Sequence, residues 1–390
     1  GNAADDAGGG VAVDFATLTI ENSEIFENSA SDGGGVYAVD SQTVIRDSSI
    51  ISNSSGFGGG IYATGFGDTF NSLEIVNTQI ETNAASNDGG GLYIDSSAVD
   101  ADLVNVTFAL NSAGGFGGGI ALLQAAIDAT NLTVANNIAT LGGGISIDGQ
   151  EGGTRLSQAT ITGNFAEDVG GGLYAANADG DPLLNNSIVT ANAAFNPDIA
   201  DDISGNVQFG GNFIRGDNLV VDGDTFLVAL ADIFDSLVQN GYGVTTGELA
   251  DNGGTVRTVA LLDGGVAQDA GSFLVEPADT FDLDNDGDVE ETVPFDARGE
   301  GFIRVIDGGI DLGAFESGTA PSDGGAAQAA PFSDAALPRA DLATLLVAAF
   351  ADAPEALSSA AFAHAEPQFD LAIPSTLSSI HGDLFAPQIA

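Results

Sequence analysis

Short runs of alternating apolar and polar residues recur along this chain with a period of about 27 residues. An asparagine returns at steps of 25 to 30 residues, and a glycine triplet follows each of the first seven five or six residues later. An apolar residue stands three positions before each asparagine from Asn28 onward, and another follows each triplet directly. A polar residue stands six positions before each of the same asparagines. A fixed period of this length is typical of a repeat architecture.

Alternation bounded by Gly, Asn, Asp and Ser predicts strands of about three to five residues separated by turns. One such repeat cannot bury its apolar side alone, whereas stacked copies can. We therefore predict an all-β fold, a right-handed parallel β-helix over residues 1–205. A leucine-rich solenoid fits less well, because the apolar columns are rich in β-branched residues and are bounded by glycine.

The recurring asparagines are expected to point inward at a bend and to bond to their counterparts in the neighbouring coils. The predicted ladder comprises Asn28, Asn53, Asn83, Asn111, Asn137, Asn164 and Asn192, with Asn2 at the same position of the opening coil.

The repeat loosens after residue 205. Residues 206–316 are expected to add two or three irregular coils, with a short helix over residues 226–237. Residues 317–390 read as a Gly/Ser/Ala/Asp-rich linker and an Ala/Pro-rich tail, in which residues 338–352 form an amphipathic helix. The expected division is thus a repeat region, an irregular closing region and a tail.

Two sets of motifs resemble known families. The Gly-Gly-Gly-apolar element, followed by an apolar-x-x-Asn element such as Phe108 to Asn111, resembles the repeats of polymorphic outer-membrane proteins. The residues of 251–255, 260–262, 269–271, 296–299 and 311–316 resemble the choice-of-anchor Q domain. The two resemblances imply a secreted or surface β-helix, and they imply no particular reaction.

The composition is strongly acidic, with a net charge of −49 and seven basic residues, all of them arginine. Such a field repels nucleic acids and anionic membrane surfaces, and its self-repulsion is relieved in saline media or by bound cations. No apolar run is long enough to span a membrane. With no cysteine, no disulfide stabilises the fold. These features agree with an extracellular location.

Alternating carboxylates around a glycine form a candidate metal site. Oxygen ligands at alternate positions of a bent loop suit Ca²⁺. The pattern resembles an EF-hand loop through its ninth position, but Val293 stands where the bidentate glutamate belongs, and Glu291 or Asp296 would have to substitute. The alternative is a solvated acidic loop. The predicted structural Ca²⁺ ligands are Asp282, Asp284, Asp286, Asp288 and Glu290.

Tyr37, Tyr62 and Tyr93 occupy one position in three consecutive coils, and alternation points them away from the core. An exposed strip of rings would stack on sugars. Packing of each ring on the next is the alternative, and we favour it because Ala121 and Ser146 interrupt the column.

An enzyme is disfavoured on the residues present. Cleavage of acidic polysaccharides needs a cation and a base, yet lysine is absent and both histidines, His364 and His381, lie in the tail. A glycosidase needs only two carboxylates, and Asp201 with Asp202 is one unspecific pair. We expect a non-catalytic structural or adhesive protein, with a polysaccharide-binding or polysaccharide-cleaving surface protein as the alternative.

The first coil begins at the repeat asparagine, Asn2, without the strand that precedes it elsewhere. Either a longer solenoid has been shortened, or a neighbouring molecule supplies the missing strand. The second possibility predicts end-to-end self-association through the first coil, to which the tail would also contribute.

Overall fold

The structure is a computed structural model that describes residues 1–66, 71–149, 153–176, 180–195, 202–284, 286–306 and 308–318. It confirms the predicted parallel β-helix. Each coil contributes strands to three sheets in turn, and neighbouring coils pair in parallel and in register, as Val36 does with Ile61 and Leu92 with Ile120. The tail predicted over residues 317–390 lies outside the described residues from residue 319 onward.

The first sheet holds the seven strands that follow the glycine triplets and one further strand that follows Asp202. Its eight strands are Val11–Asp14, Val36–Val39, Ile61–Thr64, Leu92–Ile94, Ile120–Leu123, Ile145–Asp148, Leu173–Ala176 and Ile203–Gly205. The third sheet holds the short strands that follow the ladder asparagines. Its six strands are Ser54–Ser55, Ala84–Ala85, Ser112–Ala113, Ile138–Leu141, Phe165–Val169 and Ala193–Ala194.

The second sheet is the largest and bends along the polar column that stands six residues before the ladder. Its fifteen strands are Thr17–Glu21, Glu24–Phe26, Gln42–Arg46, Ser49–Ile51, Asn71–Glu81, Val99–Ala109, Asp128–Ala135, Arg155–Ser157, Thr160–Thr162, Leu183–Asn185, Ile188–Thr190, Gln208–Gly210, Phe213–Arg215, Asn218–Val221 and Asp224–Leu227.

The turns of each coil are fixed by residues with left-handed backbone conformation. In one coil these are Asn105 in the polar column, Leu110 directly before the ladder, and Gly117 at the start of the triplet, with φ of 55°, 58° and 62°. The next glycine, Gly118, has a different reason: a Cβ there would lie 2.4 Å from the carbonyl oxygen of Gly143 in the following coil. The triplet therefore combines a sharp bend with close approach of neighbouring coils.

The asparagine ladder is confirmed along its whole predicted length. The Nδ2 of Asn83 donates to the Oδ1 of Asn111 at 3.1 Å, and the Nδ2 of Asn111 donates to the Oδ1 of Asn137 at 3.0 Å. The same Oδ1 atoms also accept a backbone N–H of the preceding coil, as Asn111 does from Asn83 at 2.9 Å. At the last coil the Nδ2 of Asn192 donates to the Oδ1 of Asp202 at 2.9 Å, so a carboxylate ends the ladder.

The apolar columns form one continuous core inside the coils. The residues three positions before the ladder are fully buried from Ile50 to Val189, and those after the glycine triplets from Val36 to Leu173. Inward-facing side chains therefore stack directly on their counterparts, and most residues at these positions are β-branched, as suits a packed strand surface.

The chain leaves the column after one partial further coil. Gln208–Gly210 and Phe213–Arg215 still pair in parallel with the preceding coil, whereas Asn218–Val221 and Asp224–Leu227 pair antiparallel. The prediction of two or three further irregular coils was therefore wrong. The cause is the Gly-containing turns after residues 215 and 221, which reverse the chain direction.

The predicted helix over residues 226–237 was also wrong. This stretch contains the end of a strand, the 3₁₀ turn Leu230–Asp232 and the start of the strand Leu237–Gln239. Its apolar residues Ile233 and Phe234 are buried in a second core that includes Val259 and Leu312. Tertiary packing of this apolar run therefore overrides its helical spacing.

Residues 230–318, called the return segment here, pack on the outer face of the second sheet. Its regular elements are Leu230–Asp232, Leu237–Gln239, Thr245–Gly247, Leu249–Ala250, Thr258–Val259 and the 3₁₀ turn Phe273–Val275. None of the helices in the described ranges is long and apolar enough to cross a membrane.

Replacing Asn111 with alanine tests the ladder. The substitution removes two donated hydrogen bonds and leaves the buried amide groups of Asn83 without their acceptor, so we expect a loss of about 2–4 kcal/mol of unfolding free energy. The measurement is urea unfolding followed by circular dichroism. Asn87→Ala is the matched control, because Asn87 is exposed and the expected change is within about 0.5 kcal/mol. Equal losses for both variants would contradict a ladder that stabilises the fold.

Candidate functional site

The return segment is held to the second sheet along the polar column and its flank. Gln79 donates to the carbonyl of Thr255 at 3.1 Å, and Asn131 donates to the carbonyl of Phe295 at 2.8 Å. Thr162 and Thr246 share a hydrogen bond of 2.7 Å between their hydroxyl oxygens. Polar residues that would otherwise face water therefore bind a strip of chain across several coils.

One ion pair also holds the return segment to the second sheet. The guanidinium of Arg257 binds both carboxylate oxygens of Glu81, with Nε–Oε1 and Nη2–Oε2 distances of 2.9 and 2.5 Å. The Glu81 side chain is 1% exposed, so the pair is largely shielded from water. A bidentate pair in such a setting is geometrically specific, and loss of one partner leaves a buried charge.

The motif residues behind the second resemblance come together in the return segment. Arg298 binds the carboxylate of Asp296 and the carbonyl of Glu316, and its guanidinium lies 4.2 Å and 3.9 Å from the ring centroids of Phe302 and Phe315. The Nη2 of Arg304 donates to the carbonyl of Gly313 at 2.7 Å. These buried contacts hold the end of the described chain in place, so the motif has a structural role.

Burial also shifts the protonation of this cluster. It raises the pKa of Glu316 to about 8, although Arg304 lies 3.9 Å away and acts in the opposite direction. The backbone N–H of Asp311 donates to Glu316 at 3.0 Å.

A groove of about 470 Å³ lies between the second sheet and the return segment. One wall comes from the sheet and carries charged side chains on adjacent coils, and the other comes from the return segment. The lining residues are Asp102, Val104, Asp128, Thr130, Arg155, Ser157, Leu183, Asn185, Val275, Glu276, Pro277, Ala278, Asp279, Thr280, Phe281 and Val293.

The charges of the sheet wall form a column. Glu74, Asp102, Asp128 and Arg155 pair in register on successive strands. Glu74 is paired with Arg46 and Asp128 with Arg155, the latter at 2.7 Å, whereas no ion pair in the described chain involves Asp102. Burial raises the pKa of Asp102 to about 6, and the neighbouring carboxylates of Asp100, Asp128 and Glu74 add to this shift. A carboxyl group with such a pKa is suited to proton transfer near neutral pH.

Sequence reasoning missed this column, although a signal was present. Each of its members stands nine residues before a ladder asparagine, so aligning the repeats would have placed them above one another. The other wall had no such signal, because the path of the return segment is not repetitive.

The predicted calcium ligands lie beside the groove, in a hairpin loop. Asp282, Asp284 and Asp286 bring one carboxylate oxygen each within 4.8 Å of one another. Asp288 and Glu290 are not part of that group in the described residues, and the Oδ1 of Asp288 accepts the backbone N–H of Glu290 at 3.0 Å. A second group combines Asp284 with Asp279 and Glu291, so the sequence pattern included only part of the cluster.

The tyrosine column is packed rather than open. Tyr37 stacks on Tyr62 with ring centroids 5.3 Å apart, and Tyr62 lies 5.4 Å from Tyr93. Tyr93 is 5% exposed and also stacks on Phe57. Each of the three rings therefore packs on at least one neighbouring ring, which agrees with the packing alternative that the sequence favoured.

Asp202, part of the unspecific carboxylate pair, serves as the last acceptor of the ladder, while Asp201 lies outside the described residues. His364 and His381 also lie outside the described residues.

No protein-family model, no curated protein and no solved structure matches this chain. The resemblances to polymorphic outer-membrane proteins and to the choice-of-anchor Q domain stay predictions.

Replacing Arg257 with methionine tests the attachment of the return segment. The change leaves the Glu81 carboxylate buried without its partner, and we expect a loss of about 3 kcal/mol in unfolding free energy. Arg155→Met is the matched control: Arg155 and Asp128 are 51% and 47% exposed, so the loss there should stay within about 1 kcal/mol. Thermal and urea unfolding give both values, and equal losses would show that the buried pair has no special role.

Replacing Asp102 with asparagine tests the electrostatics of the groove. Since the folded-state pKa is raised, the folded protein binds the proton more tightly than the unfolded chain does. Stability should therefore fall as the pH rises from about 4 to about 6 and stay level above that. Asp102→Asn should remove roughly 1–2 kcal/mol of this fall in unfolding free energy, a value already reduced to allow for solvent screening. Glu24→Gln, an exposed carboxylate on the first coil, is the control, and an unchanged pH profile in Asp102→Asn would contradict the shift.

Proposed function

We propose that the protein is a non-catalytic extracellular structural or adhesive element, a stiff rod that assembles end to end into a surface filament or matrix. The observation that carries this proposal is the unbroken ladder from Asn28 to Asn192 with its in-register parallel sheets. Every coil is bonded to the next through backbone and side chain, so bending the rod strains many hydrogen bonds together. The described coils give a rod of roughly 40 Å at a rung spacing of about 4.8 Å.

The distribution of cationic groups supports a structural role over a catalytic one. Five arginines of the described residues, Arg46, Arg155, Arg257, Arg298 and Arg304, are engaged with carboxylates of the same chain. Arg298 and Arg304 are also buried. Few cationic side chains therefore stand ready to neutralise a uronate or another anionic substrate.

The acidic surface supports an extracellular, saline setting. A net charge of −49 repels other copies laterally at low salt, and salt or divalent cations relieve this repulsion. Contacts at the ends of the rod involve less of this surface than contacts along its sides. End-to-end association is therefore favoured over lateral aggregation, and nucleic acids are excluded as partners.

We propose that the first described coil takes part in such association. Val11–Asp14 and Thr17–Glu21 stand at the outer edges of their sheets within the described chain, and Leu18 is only half-buried. A parallel edge strand is a template for a further strand, and we propose that a second copy of this chain pairs there. The proposed contribution of the tail falls on residues outside those described.

Imaging of the full chain with and without Ca²⁺, together with sedimentation velocity, tests the assembly. We expect rods several molecules long. Leu18→Lys should reduce them to single molecules, because an inward charge blocks pairing at the edge strand. Leu227→Lys is the matched control, since Leu227 is 80% exposed on a strand remote in sequence from the first coil. Single columns in every condition, or no effect of Leu18→Lys, would contradict end-to-end assembly.

A polysaccharide-binding or polysaccharide-cleaving surface protein is the second candidate. The groove favours it, because Asp102, Asp128 and Arg155 face a wall that carries Glu276. Two carboxyl groups with different protonation are the minimum for glycoside hydrolysis. Release of reducing ends from neutral and acidic polysaccharides, lost in Asp102→Asn, would favour this candidate over the structural one.

A further inference from the structure

The hairpin loop beside the groove contains a buried carboxylate that is only half satisfied. Asp279 is 1% exposed, and its Oδ2 accepts the backbone N–H of Leu283 at 2.7 Å. Its Oδ1 is buried and has no hydrogen-bond partner among the described residues. A buried carboxylate oxygen without a donor is costly unless a cation binds it.

Two further carboxylates lie close to the carboxylate of Asp279. Asp279, Asp284 and Glu291 offer one carboxylate oxygen each, and these oxygens all lie within 4.8 Å of one another. The Oε1 of Glu291 is likewise buried without a hydrogen-bond partner in the described part of the chain. Three carboxylates at this separation repel each other strongly, so the arrangement is complementary to a positive charge between them.

We propose that Asp279, Asp284 and Glu291 bind a Ca²⁺ ion. The donors are all carboxylate oxygens from an irregular loop, which suits a hard cation that accepts six to eight oxygens in flexible geometry. Mg²⁺ demands near-ideal octahedral geometry and gives up its water reluctantly. The second group, Asp282 and Asp286 with the shared Asp284, provides further oxygens next to the ion.

This ligand set differs from the one that the alternating pattern predicts. Asp279 precedes that pattern by three residues. Glu291 follows its last member, and the sequence offered it only as a substitute for the missing twelfth ligand. They are joined at the base of the hairpin, where the backbone N–H of Asp279 donates to the carbonyl of Glu291 at 2.7 Å and Ala278 bridges to Thr292. The ion therefore closes the loop from both of its ends.

Calcium at this position would stiffen one wall of the groove. The base of the hairpin contributes Ala278, Asp279, Thr280, Phe281 and Val293 to the lining. The proposal does not depend on whether the groove binds a polysaccharide, because it concerns only the cation and the loop.

Calorimetric titration of the full chain with Ca²⁺ tests the site. High salt is used because it screens diffuse attraction of cations to the acidic surface. We expect one resolved site in the wild type. The affinity should be at least about tenfold weaker in Asp279→Asn and Asp284→Asn, because a loss of this size is typical even for residues that only contact metal ligands. Asp288→Asn is the matched control in the same loop and should bind like the wild type.

The variants separate binding from folding. Asp284 is exposed, so Asp284→Asn removes a ligand without touching the packed interior, and an unchanged circular-dichroism spectrum confirms this. Limited proteolysis supplies a second readout: Ca²⁺ should protect residues 279–291 in the wild type and in Asp288→Asn only. Equal Ca²⁺ binding by all four proteins would overturn the site, and a loss in Asp288→Asn as large as in Asp284→Asn would overturn this ligand set.

Discussion

In-register stacking of identical coils is the constraint on which the rest of this structure depends. It requires that an inward side chain fit directly above its own counterpart, which selects asparagine at one bend, β-branched residues in the core and glycine where coils approach closely. The asparagine ladder satisfies side-chain amides and backbone N–H groups at the bend that would otherwise be buried without partners. A solenoid without this bend chemistry would have to leave polar groups unsatisfied in every coil.

The repetitive part of the fold could be predicted because stacking turns a spatial relation into a sequence spacing. Asn83 and Asn111 form a hydrogen bond because they occupy equivalent positions in adjacent coils. The same repeat places Val36 beside Ile61 in paired strands. Even the charged column of the groove wall obeys this rule. Where the rule fails, prediction failed: the run around Ile233 and Phe234 has helical spacing but is recruited into a second core.

The non-repetitive part could be predicted only in fragments. Asp282, Asp284 and Asp286 follow a local pattern and cluster as that pattern suggests. The loop pattern also offered Glu291 as a substitute for its missing twelfth ligand. Asp279 joins them only because the chain closes a hairpin, and no spacing along the chain records that closure. The attachment of Arg257 to Glu81 spans 176 residues, and neither residue belongs to a recognisable motif. Contacts of this kind are set by how the return segment crosses the sheet.

The end of the asparagine ladder has an electrostatic consequence. Each side-chain amide accepts on its oxygen from the coil before and donates from its nitrogen to the coil after, so the amide dipoles all point the same way along the rod. Their positive end is at Asn192, and Asp202 places a carboxylate against it, much as an anion binds at the start of an α-helix. A carboxylate accepts hydrogen bonds but does not donate them, so the asparagine ladder ends at Asp202 and has a fixed polarity. The rod is thus an oriented object whose two ends are chemically unlike, even where its coils look the same.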